Sequence, residues 1–133
     1  MKQLKPQYAC SLELAMELVG GKWKLVLLWH LQSGAKRFCE LKRKLGDITQ
    51  KMLTLQLREL EGAGLLTRTV YPVVPPHVEY ALTERGRALA PVLRDLCAWS
   101  GSYAVEKGIT LGPLPPSGSG PGSPCMTESL PEA

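Results

Sequence analysis

A chain of 133 residues with 44% hydrophobic composition and a net charge of +4 has the size of one small domain, and no apolar run in it approaches a membrane span, so a membrane partner is excluded. The basic start Met1-Lys2-Gln3-Leu4-Lys5 leads into no signal-type segment, which makes the expected location cytoplasmic, with thiols rather than disulfides. Cys10, Cys39, Cys97 and Cys125 are scattered without a C-x-x-C pair, and His30 and His77 are the only histidines, so neither a structural metal nor a cofactor is expected.

Residues 1–9 show no period and read as an arm. Ser11 is placed to cap a first helix with Leu12, Ala15, Met16 and Val19 on one side, stopped by Gly20-Gly21. Residues 23–32 are apolar almost all round, with only Lys24, His30 and Gln32 polar, the pattern of a helix at the centre of a core. With no acidic or cysteine partner at helical spacing, His30 reads as a hydrogen-bonded or partly exposed residue rather than a ligand or base. Ser33-Gly34 is a turn, residues 35–38 read as a brief extended piece, and residues 39–45 as a short helix with Leu41 and Leu45 inward and Lys42, Arg43 and Lys44 outward.

After the turn at Gly46-Asp47 comes the helix around which the chain is organised, residues 49–63. Thr49 is its cap and Gly64 the left-handed residue that ends it. Leu53, Leu57 and Leu60, flanked by Met52 and Gln56, form a side to be buried. On the other side Gln50, Thr54 and Arg58 recur at i, i+4 and i+8 beside Lys51 and Leu55, the groups that hold phosphates and read base edges. The plain alternative for such a face is solvation. Two helices joined by a short glycine-containing turn, the second polar outside, make a helix-turn-helix.

Residues 66–71 and 78–82 alternate as two strands of a hairpin, joined by the proline-rich loop 72–77, and a hairpin placed here is a wing. Thr83 caps a final helix with Glu84 in its first turn. Leu89, Val92, Leu93, Leu96, Ser100 and Tyr103 form its stripe, which Ala88, Cys97 and Trp99 widen beyond the needs of a small domain and which suggests a partner helix; Pro91 should bend or restart it. Residues 1–107 therefore form the folded unit, and 108–133, rich in Gly, Pro and Ser, a disordered tail. All sixteen basic residues precede Gly108 while Glu128 and Glu132 lie in the tail, so residues 1–107 hold 16 basic against 10 acidic residues, a net +6, consistent with a polyanion partner.

The motifs Gly20-Gly21-Lys22-Trp23, Lys36-Arg37-Phe38 followed by Glu40-Leu41, Gln50-Lys51-Met52-Leu53-Thr54 continuing into Gln56-Leu57-Arg58-Glu59-Leu60-Glu61, Val70-Tyr71-Pro72 with Val74-Pro75-Pro76 and Val78-Glu79-Tyr80, and Leu82-Thr83-Glu84 span most of the chain. Through them the chain resembles the HxlR-type winged helix-turn-helix transcriptional regulators, relatives of the MarR type. The resemblance implies a cytoplasmic homodimer, held by its first and last helices, on a pseudo-palindromic operator. It also implies that some members respond to electrophiles or oxidants through a cysteine placed like Cys10. Here Leu55 stands where a polar residue is usual, His77 where arginine is usual, Ser11 where proline is common and Cys39 where asparagine is common.

The expected fold is thus mainly α with a small β-hairpin wing, dimerising through its N- and C-terminal helices. The expected function is regulation of transcription by sequence-specific binding of double-stranded DNA, open to a small-molecule or electrophile effector. The expected DNA-contacting residues are Lys36, Arg37, Lys42, Lys44, Thr49, Gln50, Lys51, Thr54, Leu55, Arg58, Arg68 and His77. Cys10 at a helix N-terminus is the candidate redox sensor, while Cys39 and Cys97 read as packing residues. A winged-helix module that binds protein and not DNA is the alternative. An enzyme is not expected, because neither Cys39 nor Cys97 is spaced to meet a histidine and an orienting third group.

Overall fold

The computed structural model describes residues 4–112. The elements are α1 (Ser11–Val19), α2 (Lys24–Leu31), β1 (Lys36–Arg37), α3 (Phe38–Leu45), α4 (Gln50–Gly62), β2 (Leu66–Tyr71), β3 (His77–Leu82), α5 (Glu84–Arg87) and α6 (Ala90–Lys107). The disorder expected for the tail falls mainly on residues 113–133, which lie outside the described residues.

The core forms where the leucine rows of three helices meet one face of the sheet. Leu27, Leu28 and Leu31 of α2, Phe38 and Leu41 of α3, and Leu53, Leu57 and Leu60 of α4 are buried together against Val78, Tyr80 and Leu82 of β3. Each such side chain contributes about 1.5–3 kcal/mol by leaving water. Ile48, in the turn between α3 and α4, is also buried and anchors that turn to the core.

The sheet is antiparallel in the order β1-β3-β2, with Arg37 opposite Glu79 and Arg68 opposite Tyr80. The two-residue strand after the first turn thus closes the wing hairpin from its other edge. Because side chains alternate, Val78, Tyr80 and Leu82 line the buried face, while His77, Glu79 and the Arg37 facing it share the outer one. The hairpin is a wing on a helix-turn-helix, as expected from the alternation.

Several local expectations are corrected. Ser11 is the first residue of α1 and not its cap; Cys10 holds that position without a side-chain bond, and the Glu13 carboxylate accepts from the Ala9 amide at 3.1 Å. The last helix, by contrast, restarts at Pro91 as expected: α5, capped by Thr83, ends at Arg87, and α6 begins anew with Pro91 in its first turn, where the missing N–H leaves no bond unmade. Gly86 is required within α5, since a Cβ there would collide with the Leu65 carbonyl oxygen. α2 is not buried all round: Val26 and Trp29 are exposed, whereas Lys24, read as polar, is buried. Met52 is likewise more exposed than a core flank.

Candidate nucleic-acid interface

The helix-turn-helix is α3, the turn 46–49 and α4. Arg37, at the N-cap of α3, donates its backbone N–H to Glu40 Oε1 at 3.0 Å, and Gly46 ends α3 with a φ of 64° that favours glycine. The last turn of α3 carries Lys42, Arg43 and Lys44, cations at the negative end of its dipole. The Thr49 hydroxyl oxygen accepts from the Met52 amide at 3.0 Å and caps α4 as its sequence position implied. No acidic residue occupies the first turn of α4, so the positive end of its dipole is left for an external anion.

Along α4 the expected residues share one side. Gln50, Lys51 and Leu55 are exposed, and Thr54 and Arg58 are partly so. Two of them are already engaged or strained in their bonding. The Thr54 hydroxyl donates to the Gln50 carbonyl oxygen of its own helix at 2.9 Å, so without rotating it offers a base edge only its lone pairs and methyl. Arg58 Nε is buried without a hydrogen-bond partner, a donor whose isolation costs about 1–3 kcal/mol.

The remaining expected contacts are spread around this helix. Lys42 and Lys44 are half-buried on α3. The Lys36 ammonium donates to Ser33 Oγ at 3.0 Å and to the Gly34 carbonyl oxygen at 3.2 Å, which folds it onto the preceding turn. Arg37 stands opposite Glu79 on the outer face of the sheet, and Arg68, partly buried and engaged within the chain, stands opposite Tyr80 on the inner one. His77 stacks on Tyr71 with ring centroids 4.7 Å apart, and its Nε2 lies 3.2 Å from Glu79 Oε2. The wing tip is apolar beyond this pair, with Val74 almost fully exposed.

His30, at the end of α2, has its pKa lowered from the ordinary 6.5, first by burial and then by the positive charges of Lys44 and Lys36. Those two ammonium groups, from α3 and β1, therefore act on one place at the edge of the helix-turn-helix, and His30 there is neutral at pH 7. Sequence reasoning missed two further features: the buried pair of Lys24 and Glu59, joined at 2.7 Å, and the stacked Tyr71–His77–Glu79 arrangement. For the first the available signal was a lysine inside an otherwise apolar segment. The cysteines differ from expectation in one respect: Cys10 and Cys97 are free and exposed, so Cys97 is not a packing residue within the single chain, whereas Cys39 is half-buried.

The HxlR-like helix-turn-helix family matches residues 18–107. An uncharacterized HTH-type transcriptional regulator of Methanothermobacter thermautotrophicus is 52% identical over 101 residues, which is 76% of this chain and 77% of that one. Among solved structures, the redox regulator HypR superposes in its reduced form with a TM-score of 0.70 at 47% identity, over 74% of this chain and 99% of that one. Its oxidized form gives 0.67 at 50% identity, over 70% and 96%. With this family match over residues 18–107 and a relative 52% identical over 76% of this sequence, the chain belongs to the HxlR-like helix-turn-helix family.

Proposed function

We propose that the protein regulates transcription by binding a pseudo-palindromic DNA operator as a homodimer. The observation that carries this reading is α4 itself: a helix whose N-terminus is capped by Thr49 and free of carboxylates, with Gln50, Lys51 and Leu55 exposed in its first two turns and a cationic α3 beside it. Such a helix fits a major groove, its backbone amides holding a phosphate while side chains meet base edges. Leu55 offers a thymine methyl an apolar contact. Lys36, Arg37, Lys42, Lys44 and His77 serve the phosphates around it, with Arg68 behind them on the inner face of the sheet.

The homodimer rests on α1 and α6. Leu12 of α1 is 67% exposed and Trp99 of α6 68% exposed, with Met16, Val92, Leu96 and Tyr103 also open to solvent. Exposed apolar side chains of this kind on two helices are suited to an isologous two-fold contact. In that dimer the two α4 helices sit about 34–36 Å apart, one duplex turn. The cytoplasm is the compartment that goes with DNA binding, and no described helix is long and apolar enough to cross a membrane.

Cys10 is the proposed point of control by oxidants or electrophiles. It is a free, exposed thiol on a cleft of about 410 Å³ shared with Lys5, Tyr8, Leu12, Glu13, Met16 and Glu17. A modification there lies at the start of the helix assigned to the dimer contact. The test of the whole reading is salt-dependent binding to random duplexes, with selection of the bound fraction: a linear fall of log affinity with log salt together with an enriched inverted repeat supports it. Absence of duplex binding at low salt would leave a protein-binding module as the function.

A further inference from the structure

We propose that the buried ion pair between Lys24 and Glu59 is a positioning element that fixes the rotation of α4 on the core and thereby its fidelity for DNA; the inference rests on the DNA-binding reading above. Lys24 is 5% exposed, the buried charged residue among the described core, and its Nζ lies 2.7 Å from Glu59 Oε1. It is the first residue of α2, where the helix dipole disfavours a cation. Burial and dipole both oppose the charge, and against them stands one short contact. Apolar residues of similar volume in such a place are often as stable or more so, so stability alone does not account for the pair.

What the pair supplies is direction. The core that α2 and α4 otherwise share is apolar, with Leu27, Leu28 and Leu31 buried in one cluster with Leu53, Leu57 and Leu60, and apolar rows of similar shape accept small rolls and shifts of one helix on the other. An ion pair with a short, directional bond does not. Glu59 directly follows Arg58 and lies in the same turns as Leu55, so the rotation that satisfies Lys24 sets where these side chains emerge. Reading a base edge tolerates errors of only about 0.5 Å in the placement of the reading group.

The place of the pair in the fold agrees with this role. It borders a small cavity of about 50 Å³ lined also by Leu4 of the N-terminal arm, Glu17 and Leu18 of α1, and Gly62 and Ala63 at the end of α4. One ammonium group therefore sits where the arm, α1, α2 and α4 converge.

The test compares the wild type with Lys24→Met/Glu59→Leu and with Lys24→Met alone, in full-length protein. Each is measured for its thermal midpoint and for affinity to a duplex selected by the wild type and to a scrambled duplex. We expect the double variant to keep its midpoint within a few degrees or raise it, while its ratio of selected to scrambled affinity falls at least tenfold. A folded double variant with an unchanged ratio overturns the inference. If the double variant does not fold, Lys24→Met decides, because Glu59, a fifth exposed, can be solvated when its partner is gone; a folded single variant that discriminates like the wild type is again fatal. Failure of both variants to fold makes the pair a stability element and overturns it too. A wild type that selects no duplex removes the DNA reading and this inference together, a result distinct from loss of discrimination in the variants alone.

Discussion

The Thr83 hydroxyl donates to the Gly64 carbonyl oxygen at 2.7 Å and accepts from the Gly86 amide at 3.1 Å, so one side chain closes the segment after α4 and opens α5. The Thr83 amide adds a bond to the Leu65 carbonyl oxygen at 3.1 Å. The exit of α4 is thus tied to the end of the wing, and both are set by a residue whose sequence position announced only a cap.

Replacing Thr83 by Val keeps the shape and removes both hydroxyl bonds. The expected loss is about 1–2 kcal/mol, the scale of a lost cap. Thermal unfolding should show a fall of about 4–8 °C for each kcal/mol, and Thr83→Ser should recover most of it. A Val variant that melts with the wild type would mean that the Gly64 and Gly86 contacts contribute nothing.

Contacts to DNA should differ in kind. Arg58→Ala and Thr54→Ala are expected to cost about 1–3 kcal/mol on a selected duplex and to relax preference at one position each. Lys42→Ala should weaken all duplexes alike and flatten the salt slope by up to about one unit. Anisotropy titrations on selected and scrambled DNA at several salt concentrations separate these outcomes; equal affinities and ratios in all three variants would show that α4 is not the reader.

The exposed apolar face of α6 predicts its own disruption. Leu96→Asp places a carboxylate at a position 43% exposed in the single chain, so the fold should survive while a two-fold contact through that face is lost. Light scattering should then report a monomer where the wild type is dimeric, and DNA affinity should fall with it. A monomeric wild type at micromolar concentration is the contrary result.

Acid should weaken the fold through His30. Its pKa in the folded chain is lowered, chiefly by burial, so the unfolded chain takes up a proton more readily. Its contribution is therefore fully present above the ordinary pKa of 6.5 and is lost as pH falls below it. The thermal midpoint of the wild type should drop more between pH 7 and pH 5 than that of His30→Gln. Phosphates that neutralise Lys44 and Lys36 remove part of the cause, so DNA binding near pH 6 should take up protons, visible as a binding heat that depends on the buffer.

Oxidant response is expected to run through Cys10 and to spare Cys97. Hydrogen peroxide, which takes a lone thiol to the sulfenic acid with release of water, should free DNA from the wild type and from Cys97→Ser, and Cys10→Ser should hold it. Release undiminished in Cys10→Ser would remove that thiol from the mechanism.

The amino-acid sequence by itself determined what depends on neighbours along the chain. The leucine spacing of 53–60, the Thr49 cap, the glycines at 46 and 64 and the alternation of 66–71 each act within a few residues, so helix, turn and wing were legible, and so was the recurring Gln50, Thr54 and Arg58 face. Other features were decided only by the tertiary structure, because they depend on partners far apart in sequence. Residues 36–37 become a strand only by pairing with β3, Lys24 is buried only because Glu59 arrives from another helix, and Arg68 faces inward only because the register sets it against Tyr80. Val26 and Trp29 look like core from composition, yet they are exposed because the elements packed around α2 leave that side uncovered. A charge in a core or an apolar side chain in water is fixed by what the rest of the chain brings to it, and local periodicity carries no information about that.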